Sequence, residues 1–98
     1  MAYHFTAETT ARPDTALLRR RLTQYSLIEF FPVEVSENGL ILGISIPFRS
    51  TDTAALEAEL LDLMTYLIVH EAFEVTDLFR GQRVGPGDLT DLAHHVLT

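Results

Sequence analysis

The chain has 98 residues, with 14 acidic residues against 7 basic ones, all of them arginine, and a net charge of −7. A chain of this length and 47% hydrophobic content is expected to form a single globular domain over residues 1–98. The negative charge argues against direct nucleic-acid binding, where neutralisation of phosphates supplies most of the affinity. Because the sequence has no cysteine, disulfides and thiolate metal sites are excluded.

No apolar run approaches the ~20 residues that span a bilayer, so neither a membrane segment nor a membrane partner is expected. The N-terminus reads Met1-Ala2-Tyr3-His4, without a basic stretch ahead of an apolar one. We therefore expect no signal peptide and a cytoplasmic protein.

Apolar and polar side chains alternate in residues 3–8 with the period of a half-buried strand. Residues 13–25 then carry leucines at helical spacing, and Pro13 and Asp14 favour the first turn of a helix. The sequence thus predicts a strand followed by an amphipathic helix.

Residues 27–36 are rich in β-branched and aromatic side chains and predict a second strand, whose apolar phase shifts by one residue along its length. A bulge near Phe31 and Pro32 would reconcile the two halves. Asn38-Gly39 is typical of the tight turn of a β-hairpin. Because alternation resumes in residues 40–46, we expect the second and third strands to form that hairpin.

A second helix is predicted to begin at Thr51 or Asp52, either of which can cap it. Its core stripe repeats at helical spacing and comprises Leu56, Leu60, Leu63, Met64 and Leu67. In the last turns, Tyr66, Ile68 and Val69 make the helix apolar nearly all round. We therefore expect the last turns of this helix to be covered by the C-terminal segment or by a second subunit.

Residues 73–80 alternate again and predict a fourth strand, although the same segment could instead prolong the second helix to a C-cap at Gly81. Residues 85–87 mark a turn, and Asp88 is expected to cap a short final helix that carries Leu89, Leu92, Ala93 and Val96. The order is β-α-β-β-α-β with a terminal helix. It predicts an α+β, ferredoxin-like sandwich, with a four-stranded antiparallel sheet and two helices on one face.

The sequence contains no recognisable catalytic or cofactor motif. The four histidines, His4, His70, His94 and His95, have no metal-ligand spacing, and the serines lie outside nucleophile motifs. The glycine-rich residues 81–87 lack the lysine of a phosphate-binding loop. We therefore predict no catalytic residue, no metal site and no cofactor, while the sequence leaves open whether the protein is an enzyme.

A first candidate surface is the sheet face predicted to point away from the helices. His4, Thr6 and Glu8 alternate out of the first strand on that side, and Ser45 and Thr76 of neighbouring strands are expected beside them. A mixed polar and apolar face can line a ligand pocket in which His4 acts as a general base. The alternative is a solvated face, or one covered by the C-terminal helix or by a second subunit.

A second candidate surface combines charges of both signs. The predicted interaction residues are Arg19, Arg20, Arg21, Glu57, Glu59, Asp62, Tyr66 and Val69. The arginines are consecutive on the first helix, and the carboxylates share the solvent face of the second helix. They could also form an ordinary solvated face. As a functional surface, the arginines would suit an acidic protein partner, including the second helix of another copy.

These observations favour a small acidic, non-enzymatic regulatory or protein-interaction module. We expect it to form a homodimer and to bind another protein, as a phage or bacterial inhibitor or adaptor does. The alternative is a small-molecule-binding protein or cofactor-free enzyme of the dimeric α+β-barrel type, which would use the sheet face around His4.

Overall fold

The computed structural model describes residues 2–11, 14–37, 39–47, 53–89 and 91. Within them, six strands form one sheet and two α-helices pack with it. The elements are β1 (Ala2–Thr9), α1 (Thr15–Leu22), β2 (Glu29–Phe30), β3 (Glu34–Ser36), β4 (Gly39–Pro47), α2 (Thr53–Thr65), β5 (Glu74–Asp77) and β6 (Gln82–Val84). A π-helical turn (Tyr66–His70) continues α2, and a 3₁₀ turn (Pro86–Asp88) follows β6.

The sheet is antiparallel, with the strand order β2-β4-β1-β5-β6 and with β3 also paired to β4. The α+β class predicted from the sequence is confirmed. The strand number differs from the predicted four, because the segment 27–36 forms two short strands and because β6 follows the predicted fourth strand. β1 lies at the centre of the sheet, between β4 and β5.

The predicted bulge separates β2 from β3. Phe30 pairs with Ile44 and Glu34 pairs with Ile41, so four steps along one strand match three along the other. One extra residue on one of two paired strands defines a β-bulge. Phe31 still donates its N–H to the Gly43 carbonyl at 3.0 Å, whereas Pro32 has no N–H to donate.

The predicted hairpin is formed by β3 and β4. Its register places Gly39 opposite Ser36, at the first paired position of β4 rather than inside the turn as the Asn38-Gly39 signal predicted. Asn38 itself lies outside the described residues. Gly39 has a φ of +138°, and a Cβ there would lie 1.9 Å from the Thr9 carbonyl oxygen. Glycine is therefore required by both the backbone angle and the close approach of β1.

Helix α1 begins after Asp14, whose carboxylate accepts the N–H groups of Ala16 and Leu17 at 2.9 and 3.2 Å. This N-cap replaces the predicted start at Pro13, which lies outside the described residues. The helix ends at Leu22 rather than near residue 25, and the Thr23 hydroxyl donates to the carbonyl of Arg20 at 2.7 Å in the turn that follows. The predicted caps of the second helix, Thr51 and Asp52, also lie outside the described residues.

A single core joins both helices to one side of the sheet. All five residues of the predicted α2 stripe are buried, together with Leu18 and Leu22 of α1. From the sheet, the core takes Tyr3, Phe5, Ala7, Leu42, Ile44, Ile46 and Val75. Burying each of the larger aliphatic side chains contributes roughly 1.5–3 kcal/mol.

The segment after α2 is a strand, as predicted, and the alternative of a longer helix ending at Gly81 is wrong. Ala72 adopts a φ of 54°, and the Phe73 N–H returns to the Leu67 carbonyl at 2.7 Å before β5 begins. Gly81, with a φ of 62°, lies in the turn between β5 and β6. Where a final helix was predicted, the chain forms the 3₁₀ turn, Leu89 and Asp91 are helical, and the rest of that prediction lies outside the described residues. No helix among the described residues is long and apolar enough to cross a membrane.

Replacement of Gly39 by Ala is expected to lower the free energy of unfolding by more than about 2 kcal/mol, because its φ is unfavourable for any other residue and its Cβ would overlap β1. The matched control is Gly87→Ala, since a Cβ at Gly87 meets no heavy atom within 4 Å. We expect the control to change stability by less than about 1 kcal/mol. Urea unfolding followed by circular dichroism measures both, and equal losses would contradict the close approach at Gly39.

Candidate functional site

The face of the sheet opposite the core, here called the outer sheet face, brings together all five residues of the first predicted surface. His4 stands opposite Ser45, and Thr6 stands opposite Thr76. Glu8 follows on the same side of β1, because alternate residues of a strand share a face. His4 and Thr6 are partly buried, Ser45 is buried and Glu8 is exposed.

Phe31 covers the centre of the outer sheet face and was not among the predicted residues. Its ring lies over Gly43, where an added Cβ would come within 2.6 Å of the Phe31 Cδ2 atom. The same ring stacks on the His4 ring, with centroids 6.3 Å apart. The glycine within an apolar strand was the available signal, since such a glycine marks the close approach of another group.

Four carboxylates border the outer sheet face. Glu8 pairs directly with Glu74, while Glu34 stands opposite Ile41 and Glu29 opposite Ser45. Like charges opposite one another in a sheet are destabilising. Among the described residues, the Arg83 guanidinium makes the only ion pair with this group, to Glu74 at 3.2 Å between two exposed side chains.

Large apolar side chains are exposed between these carboxylates. Phe31 is 54% exposed, Ile41 is 38% exposed and Leu78 is 52% exposed. Leu78 lies beside His4, because its N–H donates to the His4 carbonyl at 3.1 Å. The outer sheet face is therefore apolar at its centre and anionic at its border.

A wide apolar groove of about 460 Å³ lies between α1 and β2 and is lined by Tyr25 and residues 30–33. Two smaller depressions also adjoin the sheet. One, of about 240 Å³, lies at the Glu8 end between Ile41 and Ala72. The other, of about 200 Å³, lies beside β6 and is lined by Asp77, Arg80 and neighbouring polar residues. Both are smaller than the ~300 Å³ at which small-molecule sites usually begin.

Half of the second predicted surface is engaged within the chain. The Arg21 guanidinium binds the Asp62 carboxylate at 3.0 Å and lies 4.9 Å from the centre of the Tyr66 ring. Glu59 accepts the Leu27 N–H at 3.1 Å and the Ser26 hydroxyl at 3.3 Å. These contacts hold α1 and the turn after it against α2.

The remaining predicted interaction residues, Arg19, Arg20, Glu57 and Val69, are exposed. None of the three charged ones has an ion-pair partner among the described residues. Arg19 borders an apolar groove formed by Tyr25 and residues 30–33. Arg20 and Glu57 instead belong to the solvent side of the helices.

Two tyrosine–carboxylate pairs lie at the edges of the core. Burial and a hydrogen bond to Asp62 raise the pKa of Tyr25 to about 12. Burial and a hydrogen bond to Asp77 raise the pKa of Tyr3 to about 12. Asp77 is itself buried and also accepts the N–H groups of Phe79 and Arg80 at 2.9 and 3.1 Å.

No group of three potential metal ligands occurs among the described residues. His70 is exposed at the end of the π-helical turn, and His94 and His95 lie outside the described residues. Comparisons of the chain with protein-family models, with curated proteins and with solved structures found no match. Its function is therefore inferred from the geometry and charge of these surfaces.

Stability is expected to fall as the pH rises above about 10. Tyr3 and Tyr25 titrate near 12 in the folded chain and near 10.0 when unfolded, and burial also raises the pKa of Tyr66. The folded chain therefore keeps protons that the unfolded chain releases. Their contribution is complete below the unfolded pKa and is lost towards pH 12, at a slope of up to about 1.4 kcal/mol per pH unit for each tyrosine. The chain contains no lysine that would titrate in the same range.

Urea unfolding between about pH 8 and 11 measures this slope, given the ~10 pKa of free tyrosine. Tyr25→Phe removes one of the three tyrosine hydroxyls whose pKa is raised in the folded chain and should reduce the slope by about a third to a half. An unchanged slope in that variant would show that Tyr25 does not carry the effect.

Proposed function

We propose that the protein is a non-enzymatic protein-interaction module whose outer sheet face binds a cationic, amphipathic segment of another protein. The observation that carries this proposal is the exposure of Phe31, Ile41 and Leu78 on one sheet face that no other described element covers. Single exposed apolar residues are common on protein surfaces. Three on the same face indicate an interaction surface, because layered folds bury their apolar faces against another layer.

The charge of the border supports a cationic partner. Glu8, Glu29 and Glu34 have no ion pair among the described residues, and the Glu8–Glu74 pairing opposes two like charges. Such an arrangement costs stability in the free protein. Lysine or arginine side chains from a partner would relieve that repulsion and would add long-range attraction during association.

The geometry supports a helix as the bound segment. The β1 backbone is paired with strands on both sides, so the outer sheet face offers side chains rather than backbone hydrogen bonds. A helix satisfies its own backbone and can place an apolar stripe on Phe31, Ile41 and Leu78. Its flanking basic residues would then reach Glu8 and Glu34.

We also propose that a four-stranded ferredoxin-like arrangement underlies the sheet. Its supporting observation is that the four predicted strands occur in the order second-third-first-fourth, with β2 and β3 together as the second strand. In this interpretation β6 is an addition at the edge. An inhibitor or adaptor that acts in the cytoplasm is the biological role we propose for such a module.

The alternative, a small-molecule site around His4, is less well supported. Phe31 occupies the space above Gly43 and stacks on His4, which leaves little room for a ligand. Two copies joined through their outer sheet faces would also bring the unpaired glutamates of each copy together. This alternative would be favoured if the single substitution His4→Ala, which leaves Phe31 in place, abolished the binding or the turnover of a small molecule.

Fluorescence anisotropy with a synthetic helix tests the proposal. The probe is a labelled peptide of about five helical turns, with leucines on one face and lysines on the other. A second peptide replaces every lysine with glutamate. We expect the lysine peptide to bind, its affinity to fall with added salt, and the glutamate peptide not to bind.

Matched protein variants locate the contact. Glu8→Gln with Glu34→Gln should weaken binding of the lysine peptide about fivefold to tenfold, and Phe31→Ala should weaken it by at least about tenfold. Glu57→Gln with Asp91→Asn removes the same charge elsewhere and should leave the affinity unchanged. Equal loss in both double variants, equal binding of the two peptides, or no binding near ~1 mM would overturn the proposal.

A further inference from the structure

The solvent side of α2 carries an apolar stripe that is separate from its core stripe. Its members recur along the helix and comprise Ala54, Ala58, Leu61 and Val69. Thr65 lies between the last two, and its hydroxyl donates to the Leu61 carbonyl at 2.8 Å. Leu61 is 42% exposed and Val69 is 57% exposed, although the core stripe of the same helix is almost completely buried. A helix that is apolar on two sides is typically covered on both.

The π-helical turn extends this stripe. The Glu71 N–H bonds to the Tyr66 carbonyl at 3.0 Å, five residues earlier, so the turn holds one residue more than an α-helical turn. Leu67 remains in the core while Val69 emerges on the solvent side.

Helix α1 adds Leu17, which is 57% exposed. Leu17 stands one helical turn before Arg21, the residue that reaches across to α2. The outer helix face is therefore defined by Leu17 and Arg20 of α1, by the α2 stripe, and by Glu57 beside that stripe. Its apolar side chains come from both helices.

The charges of the outer helix face are balanced. Arg21 and Asp62 neutralise each other, and the exposed Arg20 and Glu57 carry opposite charges without an ion-pair partner among the described residues. On the outer sheet face, in contrast, the charged groups without an ion-pair partner among the described residues are all negative. A surface that carries one free charge of each sign beside an apolar stripe can complement itself across a two-fold axis.

We propose that the outer helix face binds a second copy of this chain and forms a two-fold dimer. Leu61 lies at its centre, and Arg20 of each copy faces Glu57 of the other. A standard interface takes about 800 Å² from each partner, a modest part of the 6108 Å² that the chain exposes. The dimer leaves both outer sheet faces free, so it is independent of the function proposed above.

Light scattering coupled to size-exclusion chromatography tests the dimer. We expect the wild-type chain to be a dimer at ~200 µM, a concentration well above a micromolar dissociation constant. Leu61→Lys should weaken the dimer by at least about 30-fold, because it places a charge in the interface centre. Lysine at position 61 also follows Glu57 by four residues, a spacing that supports the helix and keeps the variant folded.

Two controls make the result specific. Ile41→Lys changes an equally exposed aliphatic residue on the outer sheet face and should leave the dimer intact. Arg20→Glu and Glu57→Arg should each weaken the dimer severalfold, whereas an equimolar mixture should recover it, because the mixed pair restores both opposite-charge contacts. Val69→Lys provides a second variant if circular dichroism shows that Leu61→Lys is unfolded.

A wild-type chain that is monomeric at ~200 µM would overturn the proposal, since a biological dimer of this size is expected to associate by then. A dimer that survives Leu61→Lys but dissociates in Ile41→Lys would also overturn it, and would place the second copy on the outer sheet face. Dissociation in Leu61→Lys alone, with recovery in the charge-swapped mixture, supports it.

Discussion

The pairing of β1 with a strand on each side is the constraint on which the rest of the structure depends. This register directs Phe5 and Ala7 into the core and Thr6 and Glu8 to the opposite side. A slip of one residue would exchange the two sets and place the Glu8 carboxylate among the leucines of the helices. The bulge before β3 also keeps apolar and charged side chains on their own sides of the sheet. Its extra residue compensates for the one-residue shift in apolar phase between β2 and β3.

Single-sided burial has a consequence for the distribution of charge. Both helices contribute leucines to one core, so the molecule presents a sheet surface on one side and a helix surface on the other. Three of the carboxylates without an ion-pair partner among the described residues, those of Glu8, Glu29 and Glu34, border the exposed Phe31 and Ile41, whereas the helix surface carries both arginine and glutamate. A protein with a net charge of −7 thus has one described surface whose unpaired charges are all negative and another that carries charges of both signs.

Polar contacts at the edges of the core hold these surfaces in place. Asp77 is buried, yet the Tyr3 hydroxyl and two backbone N–H groups satisfy its carboxylate. The turn that it caps leads into β6 and leaves Leu78 on the outer sheet face. Asp62 performs a similar role between the helices, where it accepts hydrogen bonds from Tyr25 and Arg21. Asp62 is exposed, whereas the buried carboxylate of Asp77 favours one arrangement over its competitors because its hydrogen bonding is satisfied.

The sequence by itself determined three local features: β1, the core stripe of α2 and the one-residue bulge. For the segment of β5 it left a strand and a longer second helix both open, and the structure decided for the strand. A strand shows a period of two residues, a helix a period of 3.6 residues, and a bulge a one-residue shift in the apolar phase of a strand. Neighbouring residues are enough to show each of these patterns. Only the tertiary structure decided that Phe31 covers Gly43, that Arg21 binds Asp62 at a separation of 41 residues, and that β6 extends the sheet. Those outcomes depend on which distant segments meet. Local periodicity does not encode that information, because the same leucine stripe or arginine run fits many partners.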